Sequence, residues 1–124
     1  MAGGLGYDGG RTIVLPPLDL AYMAATLSRK GHQVTITDAD AEHLTPGRIF
    51  KSIREHNPDV VIATVSLAGL YEDCKFGRDL RDCGRQRVIL KTGITYPDLL
   101  KEMLEKSGAE FCIFGVCDLS IDDI

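Results

Sequence analysis

The 124-residue chain has no tryptophan, only 6% aromatic residues, and no apolar run near the ~18 residues that a membrane-spanning helix requires. No secretory signal pattern opens it, so the expected compartment is the cytoplasm and no membrane contact is expected. A basic excess is missing as well: 14 Lys and Arg stand against 18 Asp and Glu, for a net charge of −4. That balance leaves no electrostatic footprint for nucleic acid. Arg78, Arg81, Arg85 and Arg87 do cluster, but Asp79 and Asp82 interleave with them, which reads as a solvated helix face. Cysteine is sparse and irregular. Cys74, Cys83, Cys112 and Cys117 form neither a Cys-x-x-Cys zinc pair nor the closely spaced triplet of an iron–sulfur site, and their thiols are expected to be reduced. Cys112 alternates with core positions and reads as a small buried hydrophobe.

What is present is ordinary globular material, 44% hydrophobic and 26% charged, enough for one domain with a core. Four short, nearly continuous apolar runs read as strands buried on both faces: Val34 to Thr37, Val60 to Val65, Val88 to Leu90 and Phe111 to Phe114. Helical periods lie before and between them. Leu20, Met23, Ala24 and Leu27 mark the first, opened by Pro16-Pro17 and closed by Gly31. Ile49, Phe50 and Ile53 mark the second, with Thr45 as cap and Pro46 at its first position. Leu70, Cys74, Gly77 and Leu80 give a weaker third stripe, and Leu99, Leu100, Met103 and Leu104 a fourth that Gly108 ends. Helix–strand alternation with short right-handed connections predicts a three-layer, doubly wound parallel α/β sheet of flavodoxin-like or Rossmann-like type. The predicted core holds Leu20, Ala24, Leu27, Val34, Ile36, Val60, Ile62, Ile89 and Ile113.

Such a sheet needs a strand ahead of its first helix. Five of the first ten residues are Gly, so residues 1–11 read as a flexible loop and 12–124 as the domain. The first strand is then missing or supplied by residues 12–15, where Ile13, Val14 and Leu15 are β-prone. Ser120 to Asp123 resembles the start of a further helix, and the chain reads as a fragment of a longer protein or as a domain whose first strand is degenerate.

Gly4 to Gly9 spells G-x-G-x-x-G, and Asp38 ends the next predicted strand as a ribose-binding acid would. The fingerprint needs a strand before it and a helix opening within it, and neither is in place, so a loop is the better reading. Asp38, Asp40, Glu42 and His43 are ligand types, yet no second His or Cys lies at helical spacing; no metal site is expected. Ser66 lacks a nucleophile elbow, and His32, His43 and His56 have no partner serine or cysteine, so no catalytic residue is assigned.

Pro16-Pro17-Leu18-Asp19-Leu20-Ala21-Tyr22-Met23-Ala24-Ala25, followed by Gly31-His32-Gln33-Val34 and Asp38-Ala39, resembles the N-terminal cobalamin-binding domain of radical S-adenosylmethionine enzymes. Asn57-Pro58-Asp59-Val60-Val61 extends the likeness, and Ser66 stands where that family has a small hydroxyl residue. Two segments depart: Lys91-Thr92-Gly93-Ile94-Thr95 replaces a Gly-Gly-x-His turn, and Gly115-Val116-Cys117-Asp118 replaces a Gly-Glu-Gly-Glu-like ending. The resemblance implies a cofactor edge holding Pro16, Pro17, Leu18, Asp38, Ala39, Ser66, Leu67, Ala68, Thr92, Gly93, Gly115 and Val116.

No Asp-x-His-x-x-Gly motif occurs, so the implied cobalamin is base-off and without a protein imidazole ligand. The implied partner is a radical S-adenosylmethionine catalytic domain C-terminal in the same parent chain. The iron–sulfur cluster and S-adenosylmethionine would bind there, and the parent would be an anaerobic tetrapyrrole cyclase (magnesium-protoporphyrin monomethyl ester type) or a methyltransferase. The alternative is a degenerate domain of the same type that only packs against its catalytic neighbour.

Overall fold

The computed structural model describes residues 16–115, together with the backbone of Tyr7–Asp8 and Arg11–Thr12. Those two short segments are β1 and β2, an antiparallel pair with Tyr7 opposite Thr12. Thr12, expected to open a substitute first strand of the parallel sheet, therefore pairs with Tyr7 instead. Residues 13–15, most of the G-x-G-x-x-G stretch, Val116, Cys117 and the Ser120 helix start lie outside the described residues.

The remaining elements are α1 (Leu18–Arg29), α2 (Pro46–His56), β3 (Val60–Val65), α3 (Leu70–Cys83), β4 (Arg87–Thr92), α4 (Pro97–Ser107) and β5 (Phe111–Phe114). Local chemistry explains their ends. The carbonyls of Pro16 and Pro17 accept from the Leu18 and Ala21 N–H groups, and the ring of Pro46 occupies the first turn of α2, where no donor is lost. Thr45 takes the N-cap position with extended backbone, but its side chain makes no cap bond. Gly108 closes α4 at φ +63°, donating its N–H to the Leu104 carbonyl.

Strands β3, β4 and β5 form a parallel sheet in that order, with Ile62 beside Ile89 and Leu90 beside Cys112. Alternation splits their side chains between two cores. On one face Val60, Ile62, Ile89, Phe111 and Ile113 pack against Leu20, Met23 and Leu27 of α1. On the other, Val61, Ala63, Val65, Val88, Leu90 and Cys112 meet α3 and α4, with Phe50 and Ile53 of α2 added. Helices on both faces of a parallel sheet make this an α/β, flavodoxin-like fold.

The predicted strand at Val34 to Thr37 is corrected. This segment carries no ladder bonds, and Val34 and Ile36, assigned to the core, are 37% and 42% exposed. In a doubly wound order this strand is separated from β3 by the first strand. Among the described residues no strand lies between them, so its backbone groups have no ladder to join. Strand β4 is longer than its apolar run predicts, extending through Lys91 and Thr92.

Candidate functional site

Parallel strands bring their C-terminal ends to one edge, and the loops that follow build the candidate site there. After β3, the Ser66 to Gly69 loop folds around Asp73 of α3. The Ser66 N–H donates to Asp73 Oδ2 at 3.0 Å, its hydroxyl donates to the same oxygen at 3.3 Å, and the Gly69 N–H donates to Ser66 Oγ at 3.0 Å. A Cβ on Gly69 would stand 3.0 Å from Asp73 Oδ2 and 3.1 Å from Ser66 Oγ, so a larger residue would push these side chains by a few tenths of an ångström. Burial raises the Asp73 carboxyl above its ordinary value, while the Ser66 bonds pull the other way. The Ser66 hydroxyl thus shapes the loop, and Leu67 and Ala68 turn outward.

The end of β4 follows the same logic. Thr92 is fully buried; its hydroxyl donates to the Val65 carbonyl at 2.8 Å and accepts from the Ile94 N–H at 3.2 Å, tying β4 to β3. Both hydroxyls therefore serve the scaffold, and large apolar side chains are exposed on the outward side of the edge. Leu18, Leu67, Tyr96 and Phe114, 63%, 64%, 67% and 52% exposed, stand at element ends along it. Between them, Gly93 and Gly115 have open space where a Cβ would project. Exposed apolar side chains at these element ends make the edge the candidate binding surface.

The position of α1 follows from Asp19, in its first turn, which pairs with Lys91 near the end of β4. Pro16, Pro17 and Leu18 therefore lie at the same edge. Lys91 opens the segment that replaces the Gly-Gly-x-His turn, and its side chain reaches Asp19 of α1. Asp38 and Ala39 sit in a turn of their own: the Ala41 N–H donates to Asp38 Oδ1, and the Glu42 and Leu44 N–H groups to the Asp38 and Ala39 carbonyls. These bonds close within the turn and do not link it to the edge.

The expected edge residues thus divide. Pro16, Pro17, Leu18, Leu67, Ala68, Gly93 and Gly115 share it with outward surface, Ser66 and Thr92 support it from within, and Asp38 and Ala39 form a separate turn. The edge is an open surface. The cleft lined by Phe50, Ile53, Arg54, Leu80 and Cys83 is at the far end of α3. Among the described residues no three His, Cys, Asp or Glu side chains converge to hold a metal, and no helix is long and apolar enough to cross a membrane. Tyr96, Phe114, Asp19 and Thr64 were not singled out from sequence; Tyr96 beside Pro97 is the one with a readable signal, as the residue before a helix start at a strand's C-terminal end.

An open, glycine-floored and apolar-rimmed edge suits a large flat macrocycle. Comparison with known proteins gives a family: the B12 binding domain model matches residues 11–120. A stretch of 57 residues is 42% identical to an uncharacterized methyltransferase of Pyrococcus horikoshii, covering 46% of this chain and 12% of that protein. The chain thus spans a small part of that relative's length. No solved structure matches. On that match, which covers most of the sequence, this chain is a member of the B12 binding domain family.

Proposed function

We propose that the chain is the cobalamin-binding module of a radical S-adenosylmethionine methyltransferase or tetrapyrrole cyclase, the chemistry residing in a C-terminal catalytic domain of the parent protein. The observation that carries the binding reading is the open floor at Gly93 and Gly115 flanked by Leu18, Leu67, Tyr96 and Phe114. No Cβ stands between the backbone there and an approaching ring, and the apolar rim lowers the cost of desolvating a corrin face. The methyltransferase name of the Pyrococcus relative supports that branch, and the Pro16-Pro17 opening of α1 supports both. When bound, cobalamin supplies a cobalt centre for group transfer. The chain's own residues hold and orient it, with no imidazole of this chain as ligand.

The test is titration of hydroxocobalamin into the chain, following corrin absorption and amide resonances. Shifts confined to Leu18, residues 66–69, 93–96 and 114–115 are expected, with weak affinity for the chain alone. If none moves at millimolar cofactor, the domain is a packing module for its catalytic neighbour. Classing the parent enzyme takes its full reading frame, where a downstream Cys-x-x-x-Cys-x-x-Cys is expected.

A further inference from the structure

Within the apolar interface between α1 and the sheet lies one polar cluster. Lys91 follows Ile89 on the α1-facing side of β4, and its side chain is 8% exposed. A buried ammonium is tolerated only with a counter-charge, which Asp19 Oδ2 provides. Thr64 of β3 stands in register beside Lys91, on the face that carries Val60 and Ile62. Its hydroxyl is buried and, among the described residues, has no hydrogen-bond partner. Asp19, by contrast, keeps its side chain 46% exposed. The cation is inside, an unsatisfied hydroxyl is next to it, and the anion is at the rim.

We propose that Lys91 and Thr64 form an anion-recognition site at the cofactor edge that takes the phosphodiester of cobalamin's nucleotide tail, with Asp19 as the resident counter-ion it displaces. The inference rests on the cobalamin reading above and adds the residues that read the tail. Exchanging one anion for another leaves the buried ammonium paired throughout, and Asp19, already half in water, regains hydration at small cost. The Thr64 hydroxyl gains a phosphate oxygen to donate to, in a charge-assisted bond. The ion pair by itself leaves the Thr64 hydroxyl without a partner among the described residues.

The experiment compares the binding of cobalamin and of cobinamide, the same corrin without nucleotide or phosphodiester, to the full chain and to Lys91→Met and Thr64→Val. Wild type is expected to prefer cobalamin by at least ~10-fold, and each substitution to remove most of that preference while leaving cobinamide binding within about twofold. Thr64→Val removes an unsatisfied hydroxyl at nearly constant shape, so it folds even if Lys91→Met does not. Inorganic phosphate alone is expected to leave the amides around Lys91 and Thr64 unshifted at ~10 mM, since it lacks the corrin's contacts. Equal binding of both corrins by wild type, an unchanged preference in Thr64→Val, or saturation by phosphate below the cobalamin concentration needed would each overturn the site while leaving cobalamin binding intact. Failure of wild type to bind either corrin would instead overturn the proposed function and the site with it.

Discussion

The Ser66–Asp73 knot shows how a single buried acid shapes the edge. Because burial raises the Asp73 carboxyl, the folded chain holds more protons than the unfolded one from its ordinary value of 3.8 upward to the raised value. Stability therefore falls as pH rises through that window and stays lower above it. Asp73→Asn keeps an oxygen for both Ser66 donors and is expected to abolish this slope, staying within about 1 kcal/mol of wild type at neutral pH. Asp73→Ala strands the Ser66 N–H and is expected to cost roughly 1–3 kcal/mol. Denaturant midpoints across pH 3–7 check both. Gly69→Ala, with its Cβ forced against Asp73 Oδ2, is expected to cost roughly 1–3 kcal/mol by the same measurement. One residue further along α3, Cys74 is 1% exposed and its thiol is pushed up by burial and by the Asp73 charge. Iodoacetamide is expected to modify it only on unfolding.

Among elements, β4 and the Val34 to Thr37 segment are opposites built from similar residues. Both are rich in β-branched side chains, but β4 is flanked by β3 and β5 and covered on both faces, whereas the other segment has no ladder. Ile89→Ala is expected to cost about 2–5 kcal/mol, since its side chain is fully buried, while Ile36→Thr is expected to change stability by no more than about 0.5 kcal/mol. Native-state hydrogen exchange gives an independent check: β4 amides should exchange slowest, and those of residues 34–37 near the intrinsic rate. Protection of 34–37 comparable to β4 would show that the segment has found a partner strand.

For the whole molecule, the consequence of an open edge is that ligand and stability are linked. A cofactor that binds only the folded chain stabilises it by RT ln(1 + [L]/Kd), about 2.7 kcal/mol at a hundredfold excess over Kd. Cobalamin is therefore expected to raise the unfolding midpoint in a concentration-dependent way, and to slow exchange at residues 66–69 and 93–96 more than in β5. The apolar rim that would hold the corrin spans ends of α1, β3, α4 and β5, so no single segment of the chain binds alone. Stabilisation without local protection at those loops would indicate binding elsewhere.

Periodicity and end signals were sufficient to read the four helices and the strands β3, β4 and β5, because an apolar run buried on two faces and an amphipathic stripe differ within a few residues. The parallel sheet, the Pro-opened helices and the stop at Gly108 were legible for that reason, as was the cobalamin-type resemblance carried by Pro16 to Ala39. Pairing was not legible. Whether Val34 to Thr37 becomes a strand depends on a neighbour distant in sequence, and propensity carries no information about whether that neighbour is present. Side-chain roles at the edge were equally a matter of tertiary structure. Ser66 and Thr92 look like ligand-binding hydroxyls in sequence, yet the geometry of adjacent strand ends turns both inward to satisfy backbone groups. Lys91 reads in sequence only as a departure from a Gly-Gly-x-His turn, yet strand alternation sends its ammonium under α1 to Asp19, 72 positions away.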